Sequence, residues 1–239
     1  MAKLGVSIDH IAALHKKRKF PVPDACETAL IAQKHGAGAI VINLTDSHKN
    51  IQDKDLFNIR KKIRIPMLMK IPVGADLVRR MMKLKPEYVC FVPKARNEKS
   101  ESGGLRLSAQ ANKLKNAVKS LKKKGIKVSV FIDPNAHVIR EATRLGVNAV
   151  EVSTRPYTRA TRQREREEYL EDLFVSGILV KEFRMEFHAG MGLTYDNVEK
   201  VASISNLKYI NIGASIAAKS MRAGMGKAVE EMSRLVKKY

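Results

Sequence analysis

The feature that most constrains the fold of this chain is an eightfold alternation of short apolar runs with longer helical stretches. The runs are rich in Val and Ile and almost continuously apolar, which is typical of parallel strands covered on both faces. The predicted strands are Leu4–Ile8, Ala39–Leu44, Ile65–Ile71, Tyr88–Val92, Val128–Ile132, Ala149–Val152, Arg184–Phe187 and Tyr209–Ile212. The predicted helices are Pro23–His35, Asp53–Lys62, Ala75–Leu84, Ser108–Lys124, Asn135–Leu145, Thr161–Glu182, Asp196–Ser203 and Ser215–Lys238.

Eight such units in 239 residues predict one (β/α)8 TIM barrel that spans residues 1–239 as a single α/β domain. The alternative is a doubly wound open sheet, which is disfavoured because no Gly-x-Gly-x-x-Gly motif follows the first strand. In a TIM barrel the functional side chains lie at the carboxyl ends of the strands. We therefore expect a functional site at the carboxyl ends of the strands.

The amino-acid composition limits the classes of molecule that this chain is expected to bind. The formal net charge is +21, a field that attracts phosphates from small metabolites to nucleic acids. The basic residues are spread along the whole chain, which favours a solvated surface, so nucleic acid remains a possible but disfavoured partner. Two cysteines, no apolar run of about 18–20 residues and no signal-peptide pattern predict a cytoplasmic protein without a membrane partner. The scattered histidines show no metal-ligand spacing, so we expect no metal and no cofactor.

Polar residues follow the first two predicted strands. Asp9 and His10 end the first strand, where a buried Asp can orient an imidazole or carry a proton. Alternatively, Asp9 caps the turn that follows. Asn43 ends the second strand and is expected to contact a ligand, since an amide hydrogen-bonds but does not transfer protons near neutral pH.

A lysine and a glutamate lie in two other predicted strands. Lys70, at the end of the third strand, needs a carboxylate or a bound anion, or else it loses its charge. Desolvation near other cations would lower its pKa and make it a Schiff-base nucleophile, whereas a snorkelling side chain would have no such role. Glu151, in the sixth strand, is a candidate base or a counter-ion for Lys70 or Arg18.

Glycine-rich loops follow the last two strands, the position at which barrels commonly bind phosphate on backbone N–H groups and a helix N-terminus. The need for a tight turn alone would explain glycines in one of these loops, but it explains less easily why both loops contain them. We place His188 in the first loop as a proton carrier. The expected phosphate-binding residues of the two loops are Gly190, Gly192, Thr194, Gly213 and Ser215.

Several motifs match a known family in the same order along the chain. They are Gly5-Val6-x-Ile8-Asp9-His10-Ile11-Ala12, Phe91-Val92-Pro93, Ser102-Gly103-Gly104-Leu105, Val128–Asp133, Ala189-Gly190-x-Gly192-Leu193-Thr194-Tyr195 and Leu207–Gly213. Together they resemble the pyridoxine 5′-phosphate synthase family from Leu4 to about Leu235. The resemblance implies condensation of 1-deoxy-D-xylulose 5-phosphate with 3-amino-2-oxopropyl phosphate by a homo-octamer. It also implies binding or catalytic positions at Asp9, His10, Arg18, Glu151, Gly190, Gly192, Thr194 and Gly213.

The chain departs from the family pattern at positions where the chemistry is expected. Asn43-Leu44-Thr45 replaces His-Leu-Arg, and Lys70 replaces the carboxylate of the third strand. The later departures are His188-Ala189-Gly190-Met191-Gly192 for Asn-Ala-Gly-His-Gly, Gly213-Ala214 for Gly-His, Glu151-Val152-Ser153-Thr154-Arg155 for Glu-x-His-Thr-Gly, and Ser102 for a Glu.

Three functions follow from this pattern. The leading hypothesis is a diverged member that binds a small phosphorylated keto or amino-keto compound, with altered acid–base or Schiff-base chemistry centred on Lys70. In this hypothesis Glu151, His10 and His188 move protons. The second is a working pyridoxine 5′-phosphate synthase, and the third is a non-catalytic protein that binds phosphate or nucleic acid.

Overall fold

The chain forms a closed barrel of eight parallel strands in a computed structural model that describes residues 1–11, 24–44, 51–94 and 103–238. Each strand pairs with the next, and β1 closes the barrel against β8 through pairs such as Leu4 with Ile210. This confirms the predicted (β/α)8 TIM barrel. The strands are β1 (Lys3–Ser7), β2 (Ala39–Asn43), β3 (Met67–Pro72), β4 (Tyr88–Val92), β5 (Lys127–Ile132), β6 (Ala149–Ser153), β7 (Glu186–Gly190) and β8 (Leu207–Ile212).

Helices follow the strands around the outside of the barrel. We number those of the described residues α1 (Ala25–Lys34), α2 (Asp53–Lys62), α3 (Ala75–Leu84), α4 (Ala111–Lys122), α5 (Ala136–Arg144), α6 (Arg155–Arg159), α7 (Gln163–Glu182), α8 (Val198–Ala202), α9 (Ala214–Ala223) and α10 (Met225–Val236). A single 3-10 turn, Ser108–Gln110, precedes α4. Among the residues that the structure describes, no helix combines the length and apolarity needed to cross a bilayer.

Two differences from the predicted elements concern the strands and helices around the site. The predicted helix Ser215–Lys238 is two helices, because Gly224 between α9 and α10 adopts a φ of 79° that a helix cannot continue through. The predicted strand Arg184–Phe187 begins later, at Glu186, because Arg184 has a φ of 54° in the turn after α7. That strand continues to Gly190, which pairs with Ser153 of β6. His188 therefore lies within β7 and not in the loop after it.

The amino-end of the barrel is filled with side chains. Tyr88 and Tyr209 pack there with inward-facing aliphatic residues of β2 and β3. Below them, Glu186 accepts hydrogen bonds from Tyr88 (2.5 Å), Lys127 (2.7 Å) and Lys208 (2.8 Å). Burial raises the pKa of Glu186, but His188 Nε2, 3.8 Å away, and then these three donors outweigh burial and hold the pKa below its ordinary value. The space inside the barrel is therefore found at the carboxyl end.

Candidate active site

A cavity of about 690 Å³ opens at the carboxyl ends of the strands. This is where the barrel fold places functional side chains. The predicted site residues on its wall are His10, Asn43, Lys70, Gly192, Thr194, Gly213 and Ser215. Polar wall residues that the sequence reasoning did not assign to the site are Ser7, Arg155, Thr158, Arg159 and Asn211.

Lys70 and Glu151 form an ion pair at the inner end of this cavity. Lys70 Nζ lies 2.5 Å from Glu151 Oε1, and the two side chains are 14% and 1% exposed. Burial by itself lowers the pKa of Lys70, but the Glu151 carboxylate outweighs it, so the pKa lies above its ordinary value. Of the alternatives that the sequence leaves open for Lys70, the structure therefore shows pairing with a carboxylate. The described environment holds Lys70 as an ammonium group, because its nearest charged neighbour is an anion.

Asp9 lies behind the wall and fixes Asn43. Its carboxylate accepts hydrogen bonds from the Asn43 backbone N–H (2.6 Å), the Asn43 side-chain amide (2.5 Å) and the Ser7 hydroxyl (2.8 Å). Burial raises the pKa of Asp9, although these donors act in the opposite direction. The Asn43 side-chain nitrogen donates to Asp9 and, over 3.4 Å, to the Ser7 hydroxyl oxygen, so the carbonyl oxygen is the part of the amide left for a ligand. His10 follows Asp9, is exposed, and lines the cavity.

The loops after β7 and β8 form the outer end of the cavity. Gly192 has a φ of 80°, and a Cβ at this position would collide with Thr158 Oγ1. Gly213 directly precedes α9, whose first-turn N–H groups have no partner within the helix. The Ser215 hydroxyl donates to the carbonyl of Leu193 (2.9 Å) and ties the two loops together. Glycine turns beside a helix N-terminus have the features of an anion-binding site.

Some predicted site residues do not lie on the cavity wall. Glu151 reaches the cavity only through Lys70. Gly190 lies beneath the wall, where a Cβ would come within 2.7 Å of the Asn211 carbonyl oxygen and 2.9 Å of Glu151 Oε1. This glycine therefore makes room for the ion pair. Arg18 falls outside the described residues.

His188 is placed differently from the prediction. Its side chain is 1% exposed and packs edge-on against Tyr88 and Tyr209, with ring centroids 5.3 and 5.1 Å away. Burial lowers its pKa, although Glu186 acts in the opposite direction. His188 faces the barrel interior between the ion pair and the filled amino-end. The expectation that it lies in a phosphate loop on the cavity wall is therefore wrong.

Two side chains with unsatisfied hydrogen-bonding groups line the cavity, and neither was assigned to the site from sequence. Asn211 is 5% exposed, and neither its side-chain oxygen nor its nitrogen has a partner among the described residues. Arg155 Nη1 is likewise buried without a partner. Alternation along β8 could have indicated Asn211, since it is two residues before Gly213. Within the described ranges, no group of His, Cys, Asp and Glu side chains is arranged to hold a metal ion.

Solved structures with similar folds include two from Pyrococcus furiosus. Its N-(5'-phosphoribosyl)anthranilate isomerase has a TM-score of 0.65 with 18% identity and covers 100% of both chains. Its thiamine phosphate pyrophosphorylase has a TM-score of 0.63 with 16% identity and covers 99% of this chain and 96% of that one. At these identities the likeness shows the barrel fold alone.

Sequence relatives are more similar. A pyridoxine 5'-phosphate synthase of Coxiella burnetii (strain Dugway 5J108-111) is 35% identical over 99% of this chain and 98% of its own length. One from Prochlorococcus marinus (strain MIT 9312) is 36% identical over 99% of each. Residues 4–238 match the family described as pyridoxal phosphate biosynthesis protein PdxJ. This chain therefore belongs to the PdxJ family.

Proposed function

We propose that the cavity binds a small phosphorylated keto or amino-keto compound and acts on its carbonyl group. The observation that carries the proposal is the arrangement of two different ends in one cavity. The outer end has the glycine turns of Gly192 and Gly213 and the N-terminus of α9, which suit a phosphate. The inner end has the ammonium group of Lys70, which suits a carbonyl oxygen.

Lys70 acts in this proposal as a charged hydrogen-bond donor. An ammonium group polarises a carbonyl and stabilises negative charge that develops on its oxygen. Glu151 keeps Lys70 protonated and fixes its position, since the carboxylate is buried and 2.5 Å away. A covalent imine would require Lys70 to give up its proton first, which the pair opposes. His10 lies on the same wall and is the candidate proton carrier.

Borohydride trapping tests the role of Lys70. We expect no reduced adduct on the peptide that contains Lys70 when the protein is saturated with 1-deoxy-D-xylulose 5-phosphate. A Lys70→Arg variant keeps the charge and a Lys70→Met variant removes it, so ligand binding should survive better in the first. A mass shift on Lys70 after reduction would replace the ammonium role with a Schiff-base role.

A second candidate function is synthesis of pyridoxine 5′-phosphate, and the identity of 35–36% over 99% of the chain favours it. In this case 1-deoxy-D-xylulose 5-phosphate and 3-amino-2-oxopropyl phosphate would condense in the cavity. Purified protein is incubated with both compounds, and pyridoxine 5′-phosphate is sought by mass spectrometry. Product at a steady rate would establish this reaction, with Lys70 and His10 as the next residues to mutate. Binding without product would favour a different reaction on a similar substrate.

A further inference from the structure

Arg155 has a buried guanidinium nitrogen that no group in the described protein binds. The residue begins α6, lines the cavity, and has an Nη1 atom that is shielded from solvent and makes no hydrogen bond. A guanidinium group remains charged at any physiological pH. Burying one of its donors without an acceptor carries a full desolvation penalty. A ligand that brings its own acceptor oxygens would remove that penalty.

Arg155 lies beside the glycine turn of the proposed phosphate end. The Thr158 hydroxyl, one turn later in α6, donates to the carbonyl of Arg155 (3.2 Å). The same hydroxyl oxygen occupies the space that a Cβ of Gly192 would need. The helix therefore packs directly against the Gly192 turn, and Arg155 lines the same cavity as Gly192 and Gly213.

No carboxylate competes for Arg155 on the described cavity wall. The described wall carries the positive charges of Lys70, Arg155 and Arg159 and no Asp or Glu. Glu151 lies behind the wall and is already paired with Lys70. Asp9 also lies behind the wall and is held by Ser7 and Asn43. The wall is therefore electropositive, and an anion is the ligand that fits Arg155.

Arg155 and Ala214 border the same cavity, Arg155 at the start of α6 and Ala214 at the start of α9. Of these two positions, only Arg155 carries a side chain that can donate a hydrogen bond to an anion.

We infer that Arg155 binds the phosphate group of the ligand, together with the Gly192 turn and the N-terminus of α9. The planar guanidinium group can donate two parallel hydrogen bonds to phosphate oxygens, which a lysine cannot do. The inference rests on the proposed function, because it assigns a residue to the phosphate end of that site. Arg155 is therefore a binding residue that distinguishes phosphorylated from unphosphorylated ligands.

Calorimetric titration with inorganic phosphate tests this inference without requiring turnover. We expect Arg155→Ala to weaken phosphate binding about 10- to 100-fold, because a charge-assisted pair is lost. Arg155→Lys keeps the charge but cannot donate two parallel hydrogen bonds, so its phosphate affinity should lie between those of the wild type and Arg155→Ala. Arg140→Ala removes an exposed arginine of α5 that does not line the cavity, and should bind like the wild type.

A rescue variant keeps the test independent of folding defects. Ala214→His in the Arg155→Ala background adds a donor at the start of α9 and should recover part of the lost phosphate affinity. Equal phosphate affinity in the wild type and Arg155→Ala would overturn the inference and leave the proposed function standing. Failure of the folded wild type to bind inorganic phosphate or 1-deoxy-D-xylulose 5-phosphate would overturn both.

Discussion

A lysine ammonium and a glutamate carboxylate that are both shielded from water depend on each other for their charge. Lys70 and Glu151 are in this situation, with exposures of 14% and 1%. Desolvation alone would favour a neutral lysine, whereas the adjacent carboxylate favours the ammonium form. The chemistry available to the cavity therefore depends on a single contact between β3 and β6.

Removing the charge of one partner of this pair should lower the free energy of unfolding far more than removing both charges. Glu151→Gln leaves the Lys70 ammonium buried without its counter-ion, and we expect the free energy of unfolding to fall by about 3–5 kcal/mol. The double variant Lys70→Met with Glu151→Gln should recover much of that loss, since no buried charge remains. Urea unfolding at neutral pH measures both effects. A double variant no more stable than Glu151→Gln would contradict this expectation.

His188 should make the protein less stable in mild acid. Burial lowers its pKa below the ordinary 6.5, so the unfolded chain binds more protons than the folded one below about pH 6.5. Stability is then fully present above that pH and is lost as the pH falls toward the folded-state pKa. Glu151 and Glu186 favour protonated His188 while Lys208 opposes it, and Tyr88 and Tyr209 pack against the ring.

The variant His188→Phe keeps an aromatic ring between the two tyrosines and removes the titration. We expect its free energy of unfolding to fall less than that of the wild type between about pH 7 and pH 5. Glu186 stays ionised over this range because its own pKa is lowered, so Glu186→Gln should not flatten the profile in the same way. Parallel pH profiles of His188→Phe and the wild type would contradict this account.

At the residue scale, the sequence predicts which residues lie at the cavity better than it predicts their contacts and charge states. Alternation along a strand is enough to place Asn43 and Lys70 at the cavity, since both face inward near a strand end. The sequence identifies Glu151 as a candidate counter-ion of Lys70, but the charge state of Lys70 depends on how closely these two groups, 81 residues apart in the chain, approach each other. Arg155 was noticed only as a departure from a family pattern, and its position depends on how α6 packs against the Gly192 turn.

The element that defines the proposed phosphate end is the turn after β7. Its Gly192 combines a positive φ with close contact to α6 through Thr158. Gly125 has a similar φ of 76°, but nothing lies within 4 Å of a Cβ added there. A comparison of alanine variants at these two positions therefore distinguishes the effect of backbone strain from the effect of crowding at the site.

We expect Gly192→Ala and Gly125→Ala to share a strain cost of about 1–2 kcal/mol, since both positions adopt left-handed conformations. Gly192→Ala should be the more destabilising, because its methyl group also displaces Thr158. It should also weaken phosphate binding, which Gly125→Ala should leave unchanged. Thermal unfolding and phosphate titration of the two variants measure these effects. Loss of phosphate binding in Gly125→Ala would show that strain at a distance, and not the turn itself, controls the site.

At the element scale, strand and helix types follow from local patterns while some boundaries do not. The predicted helices Asp53–Lys62 and Ala75–Leu84 have the bounds found in the structure. The start of β7 was misplaced because Lys181–Glu186 alternates polar and apolar residues like a strand, whereas Arg184 forms a left-handed turn. The short helix α6 was not predicted, since Arg155–Arg159 is too brief to show a periodic pattern.

The whole molecule carries a net charge of +21, and a field of this sign attracts any polyanion at low salt. Specific nucleic-acid binding requires basic residues that are concentrated on one surface. In this chain the basic residues are instead spread along the whole sequence. We expect duplex DNA or RNA to bind weakly at about 50 mM salt and to dissociate as salt rises, with no sequence preference. Fluorescence anisotropy against salt concentration measures this. A saturable complex that persists at physiological salt would favour the non-catalytic nucleic-acid hypothesis.

The most direct test of the account is the dissociation constant of 1-deoxy-D-xylulose 5-phosphate for the wild type and for Lys70→Met, measured side by side by calorimetry. We expect saturable one-site binding to the wild type. We expect binding to the variant to be at least about 10-fold weaker, because one charged hydrogen bond to the carbonyl is lost. Equal affinities, or no binding by the folded wild type, would contradict the claim that this cavity holds a phosphorylated keto compound against Lys70.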